Sequence, residues 1–589
     1  MSARRRRVIS ASRRALAMAA LSLTLAAPPS SSAVSADDRL RSLGDEFVAR
    51  GLDRAPHQAT RLGVHDSDRE LVPVTQVTLA EDRAWLHDFR ARLAALERDD
   101  LTSEPAIEYD LLTALAERER LELDVLRPFE RDPGAYVPMV AGSIASVMRA
   151  GTAPCERARL AARRLAQVPE VLRAARINLR APPRILTEIA IDEFASTLRF
   201  YRETVPALAA GCREARIQAD LAQADTTAVR AVEEFLLYLR EDLLPASTGA
   251  LAIGPEACRR LLWTGLLSDV APVETLLVHE EHALDQRRAE LRALPTEAGE
   301  TGEDRDSIAA AGSEVVRVAP LLERELDRVG EFVRQHDLVT MPPRGTLGFR
   351  RAPLLLRGPE AVALEAPGPW ETRTLDAWLE FAPPDSSADP EVARTLRRRF
   401  GSWDTQLALM HEVVPGRYLR GLVLRSTPSR LSRALQDAWP AHDWGQYCEQ
   451  MVMDEGYGDR DPRCRRAAAS RALRNAGLSW ASLALHAGVM SIDQVRRILE
   501  ERCLLDPEEA ARGARWIAAN PGSMVYTLGA RQLLELRDEA RRALGPRFQI
   551  KAFNDAVLRL GASPAGLVRE GVRMELGIAS RDTAVGTGP

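Results

Sequence analysis

The chain has 589 residues, of which 46% are hydrophobic and 28% are charged, and its formal net charge is -4. A chain of this length can bury a large core, and its slightly acidic balance gives no electrostatic reason to expect nucleic-acid binding. The composition is that of an ordinary globular protein rather than a fibrous or disordered one.

Residues 1–36 predict a signal peptide. A basic start precedes an apolar run over residues 15–27, and small residues at 34–36 suit cleavage before Asp37. We therefore expect export, to the periplasm or out of the cell. The stretch "SRRALA" also resembles a twin-arginine signal, with an ordinary signal as the alternative. The apolar run is too short to span a membrane and no second one follows, so no integral membrane segment is expected after cleavage.

The cysteines are scattered along the chain, without the close pairs that a structural zinc module needs. They are Cys155, Cys212, Cys258, Cys448, Cys464 and Cys503. In an oxidising compartment Cys448 could pair with Cys464, its nearest neighbour in sequence, and buried free thiols are the alternative.

Apolar residues recur at spacings of three and four from residue 37 to 342, which predicts an N-terminal helical part. Between 343 and 384, short runs of β-forming residues bounded by proline and glycine predict a small antiparallel sheet next to a central cleft. Helical periodicity then resumes, so 343–579 combines the sheet with a C-terminal helical part. We expect a mainly α fold, one continuous domain over 37–579 and a disordered tail at 580–589.

The stretch "LALMHEVVPGRYLRG" begins like a zinc-peptidase helix, with His411 followed by Glu412. In such helices a second histidine lies four residues after the first, so that both imidazoles reach one metal. Here that position is Pro415, which cannot bind a metal and which disturbs a helix. The His-Glu pair alone is therefore a weak signal.

The motifs around and after this stretch resemble those of a bacterial family known as domain of unknown function 885. They are "HEVVPG", "HDWGQYCEQ", "LALHAGVMS", "ARWIAANPGSMVYTLG" and "FNDAVLRLGASP", with "PHQATRLGVHD", "IEYDLL" and "ALEAPGPWE" upstream. Members of that family look like helical zinc peptidases. The resemblance thus implies a large zincin-like helical body, catalytic positions at Glu412 and Tyr526, and metal-ligand positions at His411 and His442.

The chain departs from the family pattern where the chemistry is expected. Arg417 stands in place of the second histidine of the first motif, and a guanidinium has no lone pair for a metal. His442 replaces an acidic ligand, Asp443 replaces a glycine, and Asn554 replaces the histidine of the fourth motif. Framework positions such as Tyr447 are kept. This combination predicts a catalytically impaired metallopeptidase homologue, a pseudo-enzyme that binds a peptide or protein in its cleft.

In this interpretation Arg417 pairs with Glu412 where a metal once lay, and no cofactor is expected. The alternative is an active metal-dependent peptidase with zinc on a variant ligand set, His411 and His442. A third hypothesis is a non-peptidase binding protein. The further cleft candidates are Arg417, Asp443, Tyr447, Glu449, His486 and Asn554.

The remaining histidines carry weaker signals. His279 and His282 share one helical face, but without a further partner they predict a solvated surface. His57 and His65 lie in a predicted loop and turn and are assigned a structural role. The chain has no GxSxG elbow, phosphate-binding glycine loop or dinucleotide fingerprint, so serine hydrolase, nucleotidase and dehydrogenase functions lack support.

Overall fold

The computed structural model describes residues 35–149, 152–268, 270–295, 315–343, 345–351, 362–381, 402–435, 440–561 and 563–578. Nearly all of the predicted signal peptide and the whole of the predicted tail lie outside these residues. None of the helices within these ranges combines the length and the apolar composition that crossing a membrane requires.

The N-terminal part folds into helices, as its periodicity predicts. Polar N-cap residues stabilise the starts of several helices. The Ser35 side chain accepts a hydrogen bond from the backbone N–H of Asp38, and Thr75 forms a capping box with Thr78. The helices are α1 Ala36–Arg54, α2 Pro56–Leu62, α3 Gln76–Ala94, α4 Ser103–Leu121, α5 Pro128–Arg131, α6 Ser143–Arg149, α7 Pro154–Leu165, α8 Val168–Asn178, α9 Arg184–Glu203, α10 Ala215–Tyr238, α11 Pro255–Leu266, α12 Val273–Ala293 and α13 Val315–Gln335.

A three-stranded sheet follows, in the region where the sequence predicts strands. It consists of β1 Leu347–Arg351, β2 Val362–Glu365 and β3 Ala377–Phe381, in the order β1-β3-β2. Residues 366–376 form the β2–β3 loop. The expected antiparallel arrangement holds for β2 with β3, but β1 pairs with β3 in parallel, so the sheet is mixed. Short apolar runs predict strands without indicating their partners, because pairing joins segments that are distant in sequence.

Helices resume after the sheet and confirm the mainly α fold. They are α14 Ser402–Glu412, α15 Arg417–Leu424, α16 Arg430–Ala434, α17 Pro440–Asp454, α18 Pro462–His486, α19 Ile492–Glu501, α20 Pro507–Ala519, α21 Leu528–Leu544, α22 Ile550–Arg559 and α23 Ala565–Glu575.

The candidate site lies on a large apolar core cluster formed by the sheet and by α13, α14, α17, α21, α22 and α23. Trp444, Tyr447 and Phe553 are fully buried within it. A second cluster, formed by α1, α3 and α4, also takes in Leu431 and Leu567 from the C-terminal part. The two parts of the chain therefore share apolar packing across the boundary at residue 342.

One disulfide joins Cys155 at the start of α7 to Cys212, with a Cα–Cα distance of 4.6 Å. The suggested pairing of Cys448 with Cys464 is wrong, because both are buried free thiols, and Cys464 Sγ lies 3.7 Å from Met453 Sδ instead. Nearness in sequence did not predict the bond, since a disulfide depends on which Cβ atoms the fold brings together.

Candidate functional site

The first motif turns sharply after helix α14. The helix ends at Glu412, shortly before Pro415, whose ring cannot continue it. A Cβ atom on Gly416 would lie 1.9 Å from the carbonyl oxygen of His411, so only glycine allows the chain to pass so close. The turn brings Arg417, the first residue of α15, back beside Glu412.

Arg417 and Glu412 form an ion pair at this turn. Arg417 Nη1 lies 3.0 Å from Glu412 Oε2 and 3.4 Å from Oε1, and the two side chains are 16% and 5% exposed. The backbone N–H of Leu364, in strand β2, donates to the same Oε2 at 3.3 Å. The carboxylate is therefore held between a guanidinium and the sheet. The ion pair that the sequence predicts between these two residues is therefore present.

His411 belongs to an adjoining chain of buried hydrogen bonds. Its Nδ1 lies 2.7 Å from Glu449 Oε1, and Arg471 Nε donates to Glu449 Oε2 at 2.7 Å. Burial would raise the pKa of Glu449, but the charge of Arg471 and the bond with His411 bring it below its ordinary value. Glu449 is thus an ionised group that orients the His411 ring.

Helix α17 places the residues of the second motif on two opposite faces. Gly445 faces His411 so closely that a Cβ there would lie 2.6 Å from ring atoms Cδ2 and Nε2. Residue 442 comes about one turn earlier on the same side of the helix as Gly445 and Glu449. The side chain of His442 is outside the described residues.

Asp443 occupies the opposite face of α17. A Cβ on Gly529 would lie only 1.9 Å from its Oδ2, so the carboxyl packs directly on the backbone of α21. Burial raises the pKa of Asp443 to about 8, although the charge of Arg420 opposes the shift. Arg420 donates from Nη2 to Gly561 O at 2.9 Å, and burial lowers its pKa to about 10. Asp443 is accordingly a neutral acid at pH 7, turned away from His411.

Tyr447 and Asn554 form a buried bridge on this second face. The Tyr447 hydroxyl donates to Asn554 Oδ1 at 2.6 Å, and Asn554 Nδ2 donates to Leu338 O at 2.8 Å. An amide suits this position because it accepts and donates at once. Asn554 thereby ties motif four to the segment before the sheet.

Tyr526 and His486 have other neighbours among the described residues. Tyr526 is buried and packs edge-on against Trp516, with ring centroids 5.8 Å apart. His486 Nε2 lies 3.0 Å from Ile517 O, and burial lowers the pKa of His486, so the ring is neutral. Because His486 ends α18, it is about 22 Å along the helix from Arg471 at 1.5 Å per residue. The structure therefore does not bring it to His411.

The described side chains do not fit a zinc ion. Within the described ranges, no group of three or more His, Cys, Asp and Glu residues could hold a metal. A catalytic zinc takes three protein ligands, whereas His411 and Glu412 stand here beside the guanidinium of Arg417.

Sequence reasoning missed three partners of the site: Arg471, Arg420 and the N–H of Leu364. Arg471 lies in helix α18 upstream of the motif "LALHAGVMS", outside the motif residues, and it is one of many arginines in the chain. A backbone donor leaves no sequence signal at all. The rule that a buried acid needs a basic partner predicts an arginine near Glu449 and another near Asp443. The rule does not say which of the chain's arginines these are.

The model of the family described as "Bacterial protein of unknown function (DUF885)" matches residues 56–572. A structure from Shewanella oneidensis, described as a "putative lipoprotein of unknown function", has a TM-score of 0.70 and 20% identity, covering 90% of this chain and 99% of that chain. A "putative lipoprotein" from Colwellia psychrerythraea has a TM-score of 0.69 and 15% identity, with coverages of 92% and 100%. At these identities both establish the fold alone. A comparison with curated proteins finds no match.

Proposed function

Since the chain belongs to the bacterial family of unknown function DUF885, we propose that it is an exported, catalytically impaired relative of zinc peptidases that binds a peptide or protein segment without cleaving it. The observation that carries the proposal is the Arg417–Glu412 ion pair. In a zinc peptidase the glutamate after the first histidine polarises a metal-bound water. Here that carboxylate is neutralised by a permanent cation.

The edge of the sheet supports a peptide ligand. Strand β2 is at one end of the order β1-β3-β2, and its residue Leu364 directs an N–H toward Glu412 rather than toward β3. Extended peptides add to such edges through backbone hydrogen bonds. A ligand lying along β2 would pass beside Glu412 and Arg417.

The disulfide supports export. Disulfides persist in oxidising compartments such as the periplasm and are rare in the cytosol. The Cys155–Cys212 bond lies far along the chain from the predicted signal peptide, so it supports export independently of that segment.

One observation favours the alternative, an active peptidase with a variant ligand set. Glu449 holds Nδ1 of His411 at 2.7 Å, and zinc-bound histidines are held through their second nitrogen by carboxylates in this way. In the proposed function this contact is a remnant of the ancestral site. In the alternative it orients His411 toward zinc shared with His442.

Metal content separates the two functions. Purified wild-type protein, the His411→Ala variant and the double variant Arg417→His with His442→Glu are dialysed against zinc, and bound zinc is measured by elemental analysis. We expect zinc at stoichiometric amounts only in the double variant, where two ligands are restored. Stoichiometric zinc in wild-type protein that is lost in His411→Ala, together with chelator-sensitive peptide cleavage, would establish the alternative instead.

Peptide binding is tested separately, with a library of unstructured peptides and hydrogen exchange of strand β2 as the readout. We expect a bound peptide to slow exchange in β2. The variant Leu364→Pro, which disrupts the edge of the sheet together with the N–H bond to Glu412, should weaken binding. Val489→Ala, which changes an exposed side chain, serves as the control. Equal binding by Leu364→Pro and Val489→Ala would exclude the β2 edge.

A further inference from the structure

The β2–β3 loop is attached to the N-terminal part by direct backbone contacts. Trp370 N donates to Leu62 O at 3.0 Å. A Cβ on Gly368 would lie 2.2 Å from the carbonyl carbon of Leu62, and a Cβ on Gly63 would lie 2.2 Å from the N atom of Glu371. The loop therefore rests on the C-terminal end of helix α2, with no room for side chains between the two backbones.

His65 bridges the same two segments. Its Nδ1 lies 3.0 Å from Asp68 Oδ2 in the N-terminal part, and its Nε2 lies 2.9 Å from Glu371 Oε2 in the β2–β3 loop. A neutral imidazole has one N–H, whereas an imidazolium has two. Both carboxylates can accept a hydrogen bond from His65 only when the ring is protonated.

Arg373 is the competing cation. Its Nε donates to Glu371 Oε1 at 2.9 Å, and its Nη2 contacts Nε2 of His65. A neutral His65 can accept from Arg373, so the ring has a partner in either form. Only the protonated ring, however, makes the charge-assisted bond to Glu371 across the two segments.

A further charged group, Arg164, acts on the cluster through Asp68. Thr60 donates to Asp68 Oδ1 at 2.6 Å and accepts from Nη2 of the buried Arg164 at 2.7 Å. Asp68 is thereby fixed in place by a buried cation while its other oxygen faces His65. The N-terminal side of the bridge is therefore held by buried hydrogen bonds.

The electrostatics place the titration on His65. The hydrogen bond with Asp68 raises the pKa of His65, and Glu371 adds to this, while burial and Arg373 oppose it. Burial would raise the pKa of Glu371, but bonds from Arg373 and His65 bring it to about 2. Glu371 stays ionised over the range in which His65 titrates.

The β2–β3 loop also connects to the candidate site at two places. Arg425, which follows helix α15, donates from Nη2 to Glu371 O at 2.9 Å. At the other end, strand β2 leads into the loop and carries the Leu364 N–H that binds Glu412. A change in how firmly the loop is attached would therefore reach both sides of the Arg417–Glu412 pair.

We infer that His65 is a pH-sensitive latch: its protonated ring fastens the β2–β3 loop to the N-terminal part, and its deprotonation loosens the loop and strand β2 beside Glu412. A histidine whose pKa is raised in the attached state stabilises that state fully at pH values below the ordinary pKa of histidine. The stabilisation is lost as the pH rises through the raised pKa. The latch does not depend on what the site binds.

Hydrogen exchange of the full folded chain tests the latch. Protection factors for amides of residues 362–376 are measured from about pH 5.5 to about pH 8.5, the range in which histidines titrate, and corrected for intrinsic exchange. We expect protection to fall as the pH rises, by about tenfold for each unit by which the pKa of His65 exceeds that of a free histidine. In His65→Gln this pH dependence should disappear.

A matched control comes from His282, an exposed histidine of α12 whose Nε2 faces Gln286 rather than a carboxylate. His282→Gln should keep the wild-type pH dependence. A titration of wild-type His65 by NMR, which needs no stable variant, should give a pKa above that of a free histidine. A lower pKa, or loop protection that does not vary with pH in wild-type protein, would overturn the latch. Equal pH dependence in His65→Gln and His282→Gln would overturn it as well.

Discussion

Helix α17 carries two buried acids whose environments have opposite effects. Glu449 faces His411 and Arg471, accepts hydrogen bonds from both sides, and has a lowered pKa. Asp443 faces away, and although the charge of Arg420 acts on it, its Oδ2 accepts no hydrogen bond within the described residues. Its pKa rises to about 8. The charge of Arg420 alone does not keep Asp443 ionised, whereas on Glu449 the charge of Arg471 acts together with hydrogen bonds to both oxygens.

The difference also separates the face that carries the candidate site from the face that supports the fold. On the Glu449 face the charges balance in pairs, Arg417 with Glu412 and Arg471 with Glu449. On the Asp443 face a neutral acid packs against glycine backbone. The second face is therefore part of the core, despite its polar residues.

The largest effect is expected from Glu449→Ala. This change leaves Arg471 and His411 buried without their shared carboxylate, and should lower the free energy of unfolding by about 3–5 kcal/mol. Urea denaturation at neutral pH measures it. Glu449→Gln, which keeps one acceptor oxygen, is the control and should cost less. Equal stability of Glu449→Ala and wild-type protein would contradict the role assigned to this acid.

The pH dependence of stability should single out Asp443. Its pKa is about 8 in the folded protein and 3.8 ordinarily, so the folded state binds the proton more tightly. Stability should then fall as the pH rises between these values, by about 2 kcal/mol from about pH 6 to about pH 8. Asp443→Asn should remove this part of the slope in urea denaturation at several pH values. If Asp443→Asn has the same dependence of stability on pH as wild-type protein, Asp443 is already ionised in the folded wild-type protein at these pH values.

Added methyl groups test how closely each face is packed. Gly445→Ala should push against the His411 ring, and Gly529→Ala should push against Asp443, each costing about 1–3 kcal/mol of stability. Gly421→Ala is the matched control, because a Cβ there meets nothing within 4 Å and the helix should gain up to about 1 kcal/mol. Thermal unfolding compares the three variants, and a gain in all three would mean that neither contact is tight.

The smallest effect is expected at the Tyr447–Asn554 bridge. Tyr447→Phe leaves Asn554 Oδ1 without its donor and should cost about 1 kcal/mol. A double-mutant cycle with Asn554→Ala isolates the pair, and the two changes should be less than additive. Strict additivity would indicate that the hydroxyl and the amide do not interact in solution.

Much of the fold was predictable because its signals are local. Helical spacing of apolar residues and proline at helix starts placed the helices, and β-forming runs placed the strands near Leu347 and Ala377. The parallel pairing of these two strands and the Cys155–Cys212 bond were not predictable. Both join segments that are far apart in sequence, and no local pattern records such a partner.

The candidate site divides along the same line. The sequence by itself determined that Arg417 follows Glu412 closely enough to pair with it, because the proline and glycine between them require a tight turn. Only the tertiary structure decided that Glu449 orients His411, that Asp443 turns away, and that His486 lies apart. A helix face is set by what packs against it, and the residues that pack on α17 come from helices that lie far along the chain.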